Sequence, residues 1–157
     1  MKQNSKLAKY SKILGGFLIL LAAFNFDSLA QAMDFSCTST NGLRSDPQDH
    51  VNVRGSFETN GTLKNVNLSL LDKSDPTEHT LIETAGPILV ETHFRPTANR
   101  LKNFDKYVLS KEKGDSFQLF LPHGSGFGAV GISRAFVRIA FEDTKPDLEE
   151  LDCTSTP

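Results

Sequence analysis

The sequence predicts an all-β fold, a small antiparallel β-barrel or β-sandwich of about seven to nine strands whose ends are tied by one disulfide. Three observations carry this. Apolar and polar residues alternate in short runs, the period of a half-buried strand. Turn-forming residues punctuate those runs, at Asn41-Gly42, Asn60-Gly61, Asp75-Pro76, Gly86-Pro87, Lys113-Gly114-Asp115 and the glycine cluster 124–131. Two cysteines, Cys37 and Cys153, stand near opposite ends of the chain. Length and composition agree: 157 residues, 38% hydrophobic and 23% charged, suit one folded domain rather than two or a disordered segment.

The first 32 residues read as an address. Lys2, Lys6, Lys9 and Lys12 form a basic start, residues 13–24 are free of charge and mostly apolar, and Ala30-Gln31-Ala32 offers the small residues a signal peptidase needs. The apolar run is shorter than the roughly 20 residues of a spanning helix, so cleavage between Ala32 and Met33 is expected rather than a membrane anchor. Residues 33–157 then form the single domain, with no transmembrane span. Removing the leader takes away four Lys and one Asp, which moves the formal charge from −2 to −5. An acidic product has no general attraction to nucleic acid or anionic membranes.

The strands follow in order. Val51, Val53 and Phe57 mark a first run, and Val66, Leu68 and Leu70 alternate with Asn67 and Ser69. Asn60-Gly61 between these two runs signals a tight hairpin. Residues 80–84 centre on Leu81 and Ile82, 88–94 are rich in β-branched residues, and 107–110 make another short run. Phe117, Leu119 and Leu121 alternate, as do Ala135, Val137, Ile139 and Phe141. Residues 147–152, after Pro146, read as one or two turns of helix.

An even cysteine count in an exported chain reads as a disulfide. Cys37-Thr38-Ser39-Thr40 recurs as Cys153-Thr154-Ser155-Thr156. In strands, Cys and Ser share one face and the two Thr the other. The two end segments are therefore expected side by side, with the disulfide closing the fold.

Candidate chemistry is sparse. Gly126-Phe127-Gly128-Ala129-Val130-Gly131 matches G-x-G-x-x-G, but a strand follows where a dinucleotide site needs a helix, so no cofactor is expected. His123-Gly124-Ser125-Gly126 lacks the spacing and the helix of a nucleophile elbow. His50, His79, His93 and His123 show no ligand-pair spacing, and no metal site is expected. The acids at 142, 143, 147, 149, 150 and 152 read as a solvated end. Arg95, Arg100, Lys102 and Lys106 cluster against the acidic balance in a long connection and are the candidate anion- or partner-binding loop.

A cysteine near the mature start, a cysteine near the end and strands between them resemble the layout of the small periplasmic β-barrel lysozyme inhibitors. That resemblance implies an exported barrel with a disulfide between its ends. The family's inhibitory Ser-Gly loop has its nearest counterpart in Ser125-Gly126-Phe127, but Gly128-Ala129-Val130 departs from the pattern and lacks its Tyr, so no inhibitory role is carried onto Ser125. The functional expectation is a periplasmic or secreted, non-catalytic binding protein with a partner in the envelope or extracellular space. A small envelope hydrolase or metal-dependent enzyme built from the dispersed histidines is the alternative, beside a lysozyme-inhibitor-like barrel.

Overall fold

The computed structural model describes residues 32–44, 46–74, 77–91, 99–111, 115–125, 131–142 and 144–156. Ala30 of the expected cleavage site lies outside them; Ala32 is exposed, and Met33 is the buried first residue of β1.

Alternation becomes structure most plainly in β1 (Met33–Ser39), where Met33, Phe35, Cys37 and Ser39 are buried and the residues between them exposed. The described residues continue as β2 (Asp49–Phe57), β3 (Leu63–Asp72), β4 (Glu78–Glu83), β5 (Val90–Glu91), β6 (Phe104–Lys111), β7 (Ser116–Pro122), β8 (Arg134–Ala140) and β9 (Asp147–Thr156). All pairs are antiparallel, in one sheet of order β4-β3-β2-β1-β9-β8-β7-β6-β5. The sheet curls into a half-barrel around Phe35, Val51, Val53, Phe57, Leu68, Leu119, Val137 and Leu151.

The chain ends meet as expected. β1 pairs β9 with Cys37 opposite Cys153, and the disulfide joins them across 116 residues. Thr38, Thr154 and Thr156 are exposed, while Cys37 and Ser39 face the core. Ser155 Oγ accepts the Ile132 N–H at 3.0 Å, so this inward hydroxyl is satisfied.

Two expectations are corrected. Residues 147–152 are not helical: they open β9 and pair with β8 from Ile139 opposite Asp147 to Arg134 opposite Asp152. A neighbouring strand that supplies ladder bonds and an apolar face outweighs weak helical propensity. These acids are also not simply solvated: Asp147 is buried, Glu149 half-buried, and Glu150 pairs with Arg134 at 2.8 Å. The second correction concerns the hairpin at Asn60-Gly61. It forms, but through a five-residue connection, 58–62, rather than a tight turn. Glu58 carbonyl accepts the Gly61 N–H, Asn60 Oδ1 accepts the Thr62 N–H, and Gly61 sits at φ 79°.

β2 and β3 bend together. Their register slips between Arg54 and Ser56, where β3 carries an extra residue and Asn65 adopts φ 51°. Gly55 lies opposite Phe35, and a Cβ on Gly55 would stand 2.6 Å from Phe35 Cζ and 3.1 Å from Val66 Cγ2. The bare glycine makes room for the buried ring. Gly55→Ala is therefore expected to lower stability by about 1–3 kcal/mol through overpacking. Adding Phe35→Leu should recover part of that loss. Urea denaturation of the two variants checks both statements.

Candidate functional site

The two edge strands of the sheet, β4 and β5, are consecutive in the chain. Residues 84–89 carry the backbone from one edge to the other. Thr84 N–H bonds to Val66 carbonyl at 2.8 Å and Ile88 N–H to Leu63 carbonyl at 2.9 Å, so the segment first runs along β3. It then reaches β6 as β5, with Val90 opposite Tyr107 and Glu91 opposite Lys106. Among the described residues no ladder joins β4 to β6. This leaves a seam, an open groove of about 690 Å³ lined by residues 84–91 and by Val108 and Leu109 of β6. Leu89 is 84% exposed and Val90 41%, and they are the exposed large apolar residues of the described chain. At one end Lys106 Nζ pairs with Glu91 Oε2 at 2.7 Å. The sequence predicts a turn at Gly86-Pro87 and a strand over 88–94; of the described part of that strand, Val90–Glu91 forms β5. The signal was there: Pro87-Ile88-Leu89-Val90 is apolar without alternation, so at least one side chain must face outward.

The cationic connection is tied down differently. Arg95 lies outside the described residues. Residues 99–101 form a 3-10 turn that places Leu101 on the outer face of the sheet, in a second small core with Phe120 and Phe136, flanked by Phe104 and Leu148. The Arg100 guanidinium carbon lies 5.2 Å from the Phe136 ring centroid, and its Nη2 donates to Leu148 carbonyl at 3.4 Å. Burial raises the Glu149 pKa above its ordinary value, Asp147 adds to that, and Arg100 and Arg44 oppose it. Lys106 is held by Glu91. Lys102 is exposed. The three described cations, Arg100, Lys102 and Lys106, therefore do not converge on one pocket. Phe120 and Phe136 face away from the main core, which the period-two reading of their neighbours hid.

The histidines are spread over different elements. His93 lies outside the described residues, and His79 is exposed on β4. His50 is buried, its Nδ1 donating to Ser39 carbonyl at 3.0 Å, while its Nε2 is buried without a hydrogen-bond partner. His123 Nδ1 lies 2.6 Å from Asp105 Oδ1, a pair between the start of β6 and the residue after β7. The spacing of 18 residues gave no sign of it in the sequence. A carboxylate on Nδ1 orients an imidazole as catalytic dyads do. The nearby hydroxyl is committed elsewhere, however: Ser125 is buried and its Oγ donates to Pro122 carbonyl at 2.7 Å. No group of three or more His, Cys, Asp or Glu is placed to hold a metal among the described residues. Residues 126–130 of the glycine-rich match lie outside the described residues.

A second depression of about 400 Å³ lies near the Gly55 bend, lined in part by Asp34, Phe35, Ser36, Arg54, Asn65 and Thr154. Arg54 leans toward Glu78 at 3.6 Å. No helix among the described residues is long and apolar enough to cross a membrane. No protein-family model, curated protein or solved structure matches the chain.

Two predictions follow from these placements. Arg100→Ala is expected to cost about 1–2 kcal/mol, because the guanidinium both covers Phe136 and meets a carbonyl. Lys102→Ala should change stability by less than about 0.5 kcal/mol; chemical denaturation separates the two. Tyr107 is buried at the β5–β6 junction, and burial, followed by the Asp105 charge, pushes its phenol up to about 12. A raised phenol pKa means the fold favours the neutral ring. The stability it contributes is present below the ordinary value of about 10 and is lost as pH rises through 12. Phenolate absorbance of residues 33–157, in which Tyr107 is the one tyrosine, should show this late transition.

Proposed function

We propose that the chain is an exported, non-catalytic binding protein that engages a protein in the envelope or extracellular space. The observation that carries this is the seam, where Leu89 at 84% exposure and Val90 at 41% present apolar surface beside an incompletely paired strand edge. Large apolar side chains held outward in a groove favour contact with another macromolecule. The basic, apolar, small-residue leader supports export, and so does a disulfide that spans nearly all of the remaining chain. The net charge of −5 expected after cleavage disfavours nucleic acid as the partner. Within the cationic connection, an anionic contact falls to Lys102 and Arg95, since Arg100 and Lys106 serve the fold.

The oxidised protein, immobilised and exposed to envelope extract and culture supernatant, is expected to retain one partner in stoichiometric amount. Leu89→Asp should abolish that capture with the denaturation midpoint unchanged, and Lys102→Glu should weaken it if the anionic contact exists. Capture that is absent, or identical for wild type and Leu89→Asp, would refute the seam as the binding surface.

A further inference from the structure

The chemistry that the seam accepts rests on the binding reading and is set by its strand edge and its apolar wall. β6 has eight residues, and on its seam side β5 covers only Lys106 and Tyr107. Val108, Ser110 and Lys111 continue the ladder to β7, opposite Gln118, Phe117 and Ser116, with a register irregularity at Leu109. No strand pairs with residues 108–111 on the other side among the described residues. On either side of that irregularity, backbone groups that do not serve β7 are turned to the seam side, over roughly 13 Å at strand rise, and Val108 and Leu109 line the groove itself. An edge of that kind is a template for another strand. The same groove presents Ile88, Leu89 and Val90 as its apolar wall.

Charge and size select the occupant. One charged residue, Glu91, lines the groove, and Lys106 already neutralises it at 2.7 Å. A charged segment would meet no counter-charge there, so the fitting side chains are apolar or neutral. The lining comprises ten residues. A stable dimer face needs about 20–30 residues a side, so the groove is too small to hold a second copy by its surface alone. A single extended peptide strand is an occupant of smaller footprint.

We propose that the seam is a strand acceptor: an extended, uncharged segment of a partner protein adds to β6 beyond β5 and lays branched apolar side chains, at alternate positions, against Leu89 and its neighbours. Backbone bonds to β6 supply the pairing, and the apolar wall selects the side chains on one face of the incoming strand. The seam side of 108–111 then gains a neighbour that the described residues do not provide.

The test uses the oxidised full chain and a capped heptapeptide, Thr-Val-Thr-Ile-Thr-Val-Thr, followed by amide hydrogen exchange. At peptide concentrations about tenfold above the dissociation constant, the seam-facing amides of 108–111 should exchange about tenfold more slowly. The Leu89→Asp variant should lose this protection, and so should a peptide with Pro at its centre, which cannot donate to the ladder. Unchanged exchange at 108–111, or equal protection by the Pro peptide, would overturn the proposal. Partner capture that depends on Leu89 while exchange at 108–111 stays unchanged would overturn strand addition and leave the binding reading standing. Protection that rises with protein concentration without peptide, together with a dimer in sedimentation equilibrium, would overturn it in favour of a second copy.

Discussion

The ladder between β1 and β9 holds the architecture together. Without it the described strands form two meanders, β1 to β4 and β5 to β9, each with both edges unpartnered. Its residues are separated by more than a hundred positions, so its closure carries the largest entropic cost in the fold. The Cys37–Cys153 disulfide lies within that ladder and removes much of the cost by restricting the unfolded chain, on the order of 4–5 kcal/mol in the chain-entropy account. Placing the termini at the centre of the sheet has a second consequence. The two free edges fall in mid-sequence, on strands joined by only six residues, 84–89.

That short link explains why the seam exists. Residues 84–89 bond to β3 at Thr84 and Ile88 and must then turn to β6 within two residues. The segment serves both edges in succession, and β5 is left with two paired residues. The side chains of Leu89 and Val90 are exposed along this stretch. Exposure and incomplete pairing thus have one origin, the geometry of edge-to-edge crossing. The seam is a product of how the sheet curls rather than of any local motif.

The cationic connection shows the opposite outcome. Its composition suggested a surface for anions, yet its apolar residue, Leu101, docks on Phe120 and Phe136 and brings Arg100 onto the Phe136 ring. A guanidinium stacked on an aromatic face contributes to packing as well as to charge. The neighbouring Glu149, half-buried, receives Arg100 as one of its two countercharges. A basic run near aromatic residues can therefore be a clasp for an outer core, and composition alone does not separate that from a ligand site.

What the sequence by itself determined was the local character of the fold: strands where residues alternate, turns where Gly, Asn and Pro intervene, and the pairing of two cysteines flanked by the same Thr-Ser-Thr. These are properties of near neighbours and of a two-member pairing, so one chain suffices to state them. Strand register, the conversion of residues 147–152 from weak helix to β9, and the outward placement of Phe120 and Phe136 needed the tertiary structure, because each depends on which strand lies alongside. The Asp105–His123 pair and the seam needed it too: both join groups whose proximity is set by ladder register, and no spacing in the sequence encodes it. The apolar run at 87–90 was legible as an irregularity, but only the curl of the sheet decided that its outward side chain would face an open groove rather than a core.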